Sequence, residues 1–297
     1  MNSNLQFEPI RLPQQAQIDK IRAQYGHTSS SHSFCGLYLW QKVMGLEITL
    51  ENDWFVVRCN SRGENCYFMP CGNQNKTIEF LKDNMDFPQF SLCYLRKQDV
   101  QFCISNFSKQ MRFRFDRNAS EYIYDVSEQC AMKGQLFAKT RKKIHHLLDN
   151  NTVEVRPLCK DTIEDAKKIV LEWANEKSVL CPLNYGKDRA DVEIALQFLE
   201  QYSAVSAQGI LVYLNGVPSA VAAGTQISSD TFDLCIAKQT VWTPGVNLFV
   251  KHALMEQLGE QYLWLNSEED LGISGLREHK LEMHPCRLEY MWEGYFD

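Results

Sequence analysis

The sequence predicts an α/β fold made of two tandem domains, each with a mixed, mostly antiparallel sheet flanked by helices. The chain has 297 residues, which is enough for about two domains. A hydrophobic fraction of 44% is ample for packed cores. The order strand, helices, antiparallel strands, helix, strand, helix occurs twice along the chain. This repetition favours two copies of one architecture.

In the first half, alternating apolar residues predict strands, and apolar residues at helical spacing predict helices. The first predicted element is a helix over 14–24. Three strands follow, and the turn signals Asn52-Asp53 and Ser61-Arg62-Gly63-Glu64 separate them. These strands are predicted at 46–51, 54–59 and 65–69. The later elements are predicted as helices at 74–86 and 97–108 and strands at 90–95 and 122–126.

A long helix predicted over 128–148 connects the two halves. We therefore expect an N-terminal domain at 1–127, a linking basic helix at 128–150 and a C-terminal domain at 151–297. In the second half, Asn215-Gly216 is a strong two-residue hairpin signal. The other elements are predicted as strands at 153–156, 209–214, 219–227, 231–237 and 261–265 and helices at 161–176, 190–202 and 247–258, before a last helix and strand.

Composition argues against several classes of protein. The net charge of −6 is not that of a general nucleic-acid coat, although a local basic site is compatible with it. The 11 cysteines include no Cys-x-x-Cys pair, so we expect neither a metal site nor a disulfide framework. The N-terminus has no secretory signal, and no stretch approaches about 18 apolar residues. We therefore expect a cytoplasmic protein with free thiols and no integral membrane segment.

A basic helical face is predicted within residues 134–148. The spacing i, i+3, i+4 and i+7 places four basic side chains on one face of a helix, namely Lys139, Lys142, Lys143 and His146. Clustered ammonium groups repel one another unless an anion compensates their charge, and phosphate is the obvious anion. A solvated charged face is the alternative interpretation of the same pattern.

The segment 266–280 combines charges of both signs with two glycines, between a strand-like and a helix-like stretch. Carboxylates in such a junction can bind an amine or act as a general base, and cations can bind a carboxylate or a phosphate. The candidate catalytic residues are Glu268, Glu269 and Asp270. The candidate substrate-binding residues are Lys139, Lys142, Lys143, His146, Asn266, Arg277 and Lys280. A charged turn that caps a helix is the alternative interpretation.

Three segments carry a resemblance to a known family. They are Ser33-Phe34-x-x-Leu37-Tyr38-x-Trp40, Lys133-Gly134…Lys142-Lys143, and Asn266-x-Glu268-Glu269-Asp270-x-Gly272-x-x-Gly275-Leu276-Arg277-x-x-Lys280. In these segments the chain resembles bacterial proteins related to the C-terminal domain of phosphatidylglycerol lysyltransferase. The resemblance implies two tandem acetyltransferase-like (GNAT) domains. It also implies kinship to enzymes that move an aminoacyl group from aminoacyl-tRNA to an amine or a hydroxyl.

One segment departs from ordinary acetyltransferases. Those enzymes place a Gln/Arg-x-x-Gly-x-Gly/Ala loop after their fourth strand, where backbone amides bind the pyrophosphate of acetyl-CoA. The corresponding residues 239–247 contain a single glycine, Gly245, and Pro244 removes one backbone donor. The departure favours an aminoacyl-tRNA donor, or a protein without transferase activity.

We expect an acyltransferase that moves an aminoacyl group from aminoacyl-tRNA to an amine or hydroxyl acceptor. No cofactor is assigned, and aminoacyl-tRNA or acyl-CoA is the expected donor substrate. The expected partners are tRNA and a small-molecule, peptide or lipid-headgroup acceptor. Two alternatives stay open. One is a CoA-dependent N-acetyltransferase, and the other is a non-catalytic protein that binds RNA or a phosphorylated metabolite.

Overall fold

The computed structural model describes residues 5–107, 111–180, 185–240 and 243–296, except for the side chains of 177–180 and 185–189. The chain divides into two compact units. Unit 1 comprises 1–122, 269–277 and 288–297, and unit 2 comprises 123–268 and 278–287. The units are not consecutive halves of the chain, because two late segments belong to unit 1. The predicted domain bounds stay a prediction.

Unit 1 contains a mixed sheet and flanking helices. Its strands follow the order β1-β2-β3-β5-β12-β6, with β4 beside β2. Strand β3 is parallel to β5, whereas the pairs β1–β2, β2–β3 and β5–β12 are antiparallel. The elements are α1 (Gln15–Gln24), α2 (Phe34–Met44), β1 (Leu46–Glu51), β2 (Trp54–Cys59), β3 (Cys66–Phe68), β4 (Cys71–Gly72), α3 (Gln74–Asn84), β5 (Ser91–Leu95), α4 (Lys97–Phe107), β6 (Met111–Asp125, of which 123–125 belong to unit 2) and β12 (Arg287–Phe296).

Local side-chain chemistry explains where the helices of unit 1 begin and end. The Ser33 hydroxyl accepts a hydrogen bond from the Gly36 N–H at 2.9 Å and caps α2. Helix α2 ends at Gly45, whose φ of 59° suits a residue without a Cβ. The Asn73 side chain caps α3 in the same way, accepting from the N–H of Asn75 at 3.0 Å. Helix α2 therefore begins directly after Ser33.

Unit 2 repeats the pattern of antiparallel strands, a helix and a parallel strand. Its strand order is β6-β11-β10-β9-β8-β7. Only β10–β11 is parallel among the pairs β7–β8, β8–β9, β9–β10, β10–β11 and β11–β6. The elements are α5 (Val126–Ala131), α6 (Ala138–Asn150), β7 (Val153–Pro157), α7 (Ile163–Leu180), α8 (Tyr185–Glu200), β8 (Gln208–Leu214), β9 (Val217–Gln226), β10 (Thr231–Gln239), α9 (Val246–Leu258), β11 (Trp264–Asn266) and α10 (Ser274–Glu282, of which 274–277 belong to unit 1).

The hairpin predicted at Asn215-Gly216 is confirmed. Asn215 has a φ of 54° and Gly216 a φ of 81°, so both central residues are left-handed, as a tight hairpin turn between twisted strands requires. The turn sets the register of β8 and β9, in which Leu214 faces Val217. The predicted α/β class, with mixed and mostly antiparallel sheets flanked by helices, is confirmed as well.

The single long helix predicted over 128–148 is wrong, because the chain forms two helices there. Helix α5 ends at Ala131 and α6 begins at Ala138. The backbone turns between them, since Met132 has a φ of 39° and Gly134 a φ of 79°. The Arg141 guanidinium donates to the carbonyl oxygens of Met132 and Gly134, so these groups are satisfied outside a helix. The predicted linking helix 128–150 is thus reduced to α6.

Within the described ranges, no helix is both long enough and apolar enough to cross a lipid bilayer.

Candidate functional site

The segment 266–280 has the predicted order of strand, loop and helix. Strand β11 ends at Asn266, and α10 begins at Ser274. Of the predicted residues, Glu269, Asp270 and Arg277 belong to unit 1. The others belong to unit 2, namely Asn266, Glu268, Lys280 and the four basic residues of α6. The candidate residues therefore include members of both units.

Asp270 is the fully buried centre of a hydrogen-bond network in unit 1. Its Oδ2 accepts from Arg277 Nε at 2.8 Å and from the Tyr122 hydroxyl at 2.5 Å. Arg117 Nη1 adds a contact to the same oxygen at 3.1 Å. Its Oδ1 accepts from Arg277 Nη2 and from the Gly272 N–H, each at 2.9 Å. Both carboxylate oxygens are therefore used within the unit.

This network fixes the charge of Asp270. Burial by itself would raise the pKa of Asp270, but hydrogen bonds from Arg277 and Tyr122 outweigh burial and hold the pKa at about 2. A carboxylate with this pKa is a weak base at neutral pH. The geometry thus indicates that Asp270 anchors the loop between β11 and α10. The catalytic role of Asp270 stays a prediction that this geometry does not favour.

Arg277 takes part in the same anchor. Besides its two bonds to Asp270, its Nη2 donates to Asn118 Oδ1 at 2.9 Å. The loop lies close to Asn118 at a second point, because a Cβ added at Gly272 would come within 3.0 Å of the Asn118 side chain. The Arg277 guanidinium already forms a bidentate pair with Asp270, and a substrate carboxylate would have to replace Asp270 to form the same pair. The substrate-binding role of Arg277 stays a prediction.

A polar cavity of about 720 Å³ lies in unit 1, and no motif in the sequence points to it. Arg62, Arg114, Tyr295 and Glu269 are among the side chains that line it. At its wall, Glu293 accepts from Arg62 Nη1 at 2.8 Å and from Arg114 Nε at 3.0 Å. Burial raises the pKa of Glu293, but hydrogen bonds from Tyr295 and Arg114 lower it by more. Glu269 is the predicted catalytic residue that borders a cavity in this unit.

In unit 2, Lys251 is a buried amine next to a histidine. Lys251 lies on α9 with only 5% of its surface exposed, and its Nζ is 2.7 Å from His279 Nε2 on α10. No carboxylate forms an ion pair with Lys251 within the described part of the chain. Burial, together with the charges of Lys280 and Lys238, lowers the pKa of Lys251 to about 7.

His279 and Lys280 extend this cationic group. The charge of Lys251, followed by burial and the charges of Lys280 and Lys143, lowers the pKa of His279 to about 3. His279 is therefore neutral at physiological pH. Lys280 is buried, and its ammonium donates to the Ser267 carbonyl. The structure thus brings the predicted Lys143 and Lys280 near one histidine.

Asn266 and Glu268 are joined at the end of β11. The Asn266 side chain is fully buried, and its Oδ1 accepts from the Glu268 N–H at 2.8 Å. Glu268 has a φ of 57°, an uncommon conformation for a residue with a Cβ. The Asn266 amide stabilises that conformation and so sets the direction of the Glu268 side chain.

The four predicted basic residues of α6 are all exposed. Lys142 and His146 border a depression of about 420 Å³ on this helix, together with Arg141 and His145. Lys143 forms an ion pair with Glu282 on α10. The side chains are accessible to an anionic partner, and their predicted roles in substrate binding stay predictions.

Residues 239–247, the expected place of a CoA loop, include Val241 and Trp242, which lie outside the described residues. Gly245 has a φ of 94° and precedes α9. A Cβ at Gly245 would lie 2.6 Å from the Lys143 carbonyl oxygen. The absence of a side chain at Gly245 therefore allows α6 to approach the start of α9. This close approach explains the glycine without a phosphate-binding role.

One group of side chains in unit 2 is suited to hold a metal ion. The ligand atoms of Asp233, Cys235 and Glu268 all lie within 4.8 Å of one another. Sequence reasoning missed this group, because Asp233 and Cys235 lie on β10 whereas Glu268 follows β11, and the three show no metal-ligand spacing. It also missed Lys251, for which a weak signal exists. Lys251 occupies a position of α9 at helical spacing from the buried Leu248 and Met255.

Comparisons with known proteins agree with the resemblance read from the sequence. The profile of the family described as "Phosphatidylglycerol lysyltransferase, C-terminal" matches residues 22–292. No protein of curated function matches the chain in sequence.

Solved structures share the fold. A conserved protein of unknown function from Bacteroides thetaiotaomicron is 22% identical, with a TM-score of 0.89 over 99% of this chain and 100% of that one. The C-terminal domain of a protein described as a lysylphosphatidylglycerol synthetase, from Agrobacterium fabrum, is 12% identical, with a TM-score of 0.65 over 95% of this chain and 91% of that one. L-PGS from Bacillus licheniformis is 12% identical, with a TM-score of 0.62 over 99% and 94%.

The fold class predicted from the sequence, α/β with a mixed, mostly antiparallel sheet flanked by helices, is confirmed, and these solved structures share it. The family match covers most of the chain, and it supports a function of the acyltransferase type. The chain belongs to the family of the C-terminal domain of phosphatidylglycerol lysyltransferases.

Proposed function

We propose that this protein transfers an aminoacyl group from aminoacyl-tRNA to an amine or hydroxyl acceptor, at a site in unit 2 around Lys251, His279 and Lys280. The acceptor atom attacks the ester carbonyl of the donor, and a tetrahedral oxyanion forms. The oxyanion collapses, and the ribose hydroxyl leaves with a proton. The protein contributes by positioning the reactants, accepting a proton and stabilising the developing charge.

The buried amine of Lys251 is the observation that carries the proposal. An acceptor amine is protonated at neutral pH and must lose its proton before it can attack. Lys251 has a pKa of about 7, which is matched to that task, because a general base works best when its pKa is near the working pH. His279, at 2.7 Å, holds the amine through a hydrogen bond and adds no charge.

The predicted residues take up supporting roles in this proposal. Lys280 binds the anionic part of a substrate, and Asn266 holds Glu268 in place. Glu268 attracts the amine of the aminoacyl group or of the acceptor. Glu269, at the cavity of unit 1, is the other predicted carboxylate with access to a ligand. Phosphates of the donor bind the exposed lysines of α6.

The proposal is tested by incubating the protein with charged tRNA and a panel of small amines, peptides and lipid headgroups, followed by mass spectrometry. Addition of an aminoacyl mass to an acceptor is the expected result. Retention of tRNA without transfer would support the non-catalytic alternative. Addition of an acetyl mass from acetyl-CoA would support an acetyltransferase. Saturating acetyl-CoA at about 100 times its dissociation constant would then add about 2.7 kcal/mol of stability.

Charge reversal on α6 is expected to abolish binding of charged tRNA. Lysines that neutralise tRNA phosphates release the counterions of those phosphates, and this release favours binding. In the variant Lys142→Glu/Lys143→Glu, both lysines become carboxylates that repel the phosphates. Binding is measured by retention of labelled charged tRNA on the protein at several salt concentrations. The matched control is Lys160→Glu/Lys168→Glu, which reverses two exposed lysines elsewhere in unit 2. Undiminished binding by the α6 variant would remove the donor site from this helix.

A further inference from the structure

We propose that Asp233, Cys235 and Glu268 form a binding site for a divalent metal ion of the zinc class. Asp233 and Cys235 lie on β10, and Glu268 follows the end of β11 by two residues. One carboxylate oxygen of each acid and the thiol sulfur lie within 4.8 Å of one another. The three donor atoms are therefore close enough to reach one ion after a small adjustment of their side chains.

The backbone accounts for this convergence. Strands β10 and β11 are parallel, with Asp233 paired to Asn266, so Glu268 emerges close to the Asp233 level of β10. The pairing of β10 with β9 is irregular between Asp233 and Ile236. Such irregularities redirect side chains and are common beside functional sites. Glu268 has a left-handed backbone conformation, which the hydrogen bond to Asn266 Oδ1 stabilises. This conformation redirects the Glu268 side chain just after β11.

The donor set selects the kind of metal. A thiolate is a soft ligand that Mg²⁺ and Ca²⁺ avoid, whereas Zn²⁺ binds thiolate sulfur at about 2.3 Å and carboxylate oxygen at about 2.0–2.2 Å. Three protein ligands leave a fourth position open, as in sites that polarise a bound molecule. Asp233 is fully buried, and Cys235 and Glu268 are half-buried, so Asp233 would hold the ion from the interior and the other two would leave it accessible.

Charge and proton balance are consistent with this assignment. The Cys235 thiol now donates weakly to the Asp233 carbonyl oxygen at 3.7 Å, and metal binding would replace its proton with the ion. Two carboxylates and a thiolate carry three negative charges, so a divalent ion leaves one. The buried ammonium of Lys280, bound to the carbonyl of Ser267 beside Glu268, supplies a positive charge to offset it.

The metal site does not depend on aminoacyl transfer. With an ion bound, the Glu268 carboxylate is a ligand of that ion, so its proposed attraction of a substrate amine belongs to the metal-free protein. Cys235 has no part in the transfer proposed above, so its replacement separates the two ideas. Loss of metal binding in Cys235→Ser with unchanged transfer would leave the proposed function intact and make the ion dispensable for it.

Cobalt titration tests the site directly. Metal-free, reduced protein is titrated with Co²⁺, and we expect a thiolate-to-cobalt absorption band in the near ultraviolet that Zn²⁺ then removes by competition. Cys235→Ser is expected to abolish the band. Glu268→Gln is expected to weaken Co²⁺ binding by about tenfold or more, by analogy with other losses around metal sites. Glu268 is only half-buried, so this variant tests the ligand set with less risk to folding than a change at Asp233.

The matched control is Cys130→Ser, another half-buried cysteine of unit 2 that lies outside the group. It should leave the band and the affinity unchanged. Circular dichroism and thermal unfolding confirm that each variant is folded. The absence of a band in the wild-type protein, or its persistence in Cys235→Ser, would overturn the proposal. Transfer activity is not needed for any of these readouts.

Discussion

Replacing Lys251 with methionine is expected to remove most of the transfer activity and to make the protein more stable at neutral pH. The loss of a general base lowers the rate by about 10²–10⁴-fold. In the wild-type protein, transfer should rise with pH through about 7, because Lys251 must lose its proton to act as a base. The variant should show a low rate without that rise. Rates are compared by mass spectrometry across pH 6–9.

The gain in stability follows from proton linkage. Lys251 has a pKa of about 7 in the folded protein, against 10.5 for an ordinary lysine. Between these values the unfolded chain binds a proton that the folded chain does not, so lowering the pH from 10.5 to 7 destabilises the wild type. The penalty is complete below pH 7 and absent above 10.5. At about 1.4 kcal/mol per pKa unit, methionine should relieve on the order of 5 kcal/mol at pH 6.

Other groups modulate this effect without changing its sign. Lys280 and Lys238 repel a charged Lys251, and His279 is neutral throughout the range. Methionine loses the hydrogen bond to His279, which offsets the gain by about 1 kcal/mol. The free energy of unfolding is measured in urea from pH 6 to 10. The control Lys168→Met, at an exposed lysine of unit 2, should match the wild type at every pH. A gain that does not shrink as pH rises would contradict the linkage argument.

The sequence was a good guide wherever local chemistry determines the structure. The hairpin at Asn215-Gly216 depends on neighbouring residues, and it was predicted. The order of strand, loop and helix in 266–280 was also readable from its apolar and charged stretches. The same local rules could not show that Asp270 would be buried, because its partners Arg117 and Tyr122 lie about 150 positions earlier.

Two errors have specific physical causes. The helix predicted over 128–148 is broken because Arg141 satisfies the carbonyls of Met132 and Gly134, and only Gly134 gave a local signal of a turn. Strand β6 begins at Met111, eleven residues before its predicted start. Arginines alternate with Phe113 and Phe115 at the start of this strand, and that period of two was the available signal. The missed part of β6 carries Arg114 and Arg117, which is why the cavity and the Asp270 network were not foreseen.

Lys251 and the metal-ligand group illustrate a different limit. A lysine in an apolar stripe usually extends its ammonium to solvent, so burial could not be read from its position alone. The pairing of β10 with β11 brings Glu268 to Asp233 and Cys235, and pairing of strands is a property of the fold. The residues on which the two proposals depend come from segments that are distant in the sequence, and only the tertiary structure brings them together.

Replacing Asp270 with asparagine is expected to destabilise the protein by about 3–5 kcal/mol, the usual cost of removing one partner from a buried ion pair. The amide carries no charge, so Arg277 and Arg117 lose their shared counterion. Because the pKa of Asp270 is about 2 in the folded protein and 3.8 ordinarily, its stabilising contribution is complete above pH 4. It is lost as the pH falls towards 2. Wild-type stability should therefore decline over that interval, and the variant should decline less.

A double-mutant cycle separates an anchor from a catalytic carboxylate. Asp270→Asn, Arg277→Met and their combination are compared by urea unfolding, and the two positions should show a coupling of about 2 kcal/mol or more, since both side chains belong to one network. The control Asp83→Asn changes an exposed aspartate of unit 1 and should stay within about 0.5 kcal/mol of the wild type. If Asp270→Asn keeps the wild-type stability but loses transfer, the carboxylate acts in catalysis. If it loses stability, and transfer only in proportion to the folded fraction, Asp270 holds the loop that presents Glu268 and Glu269.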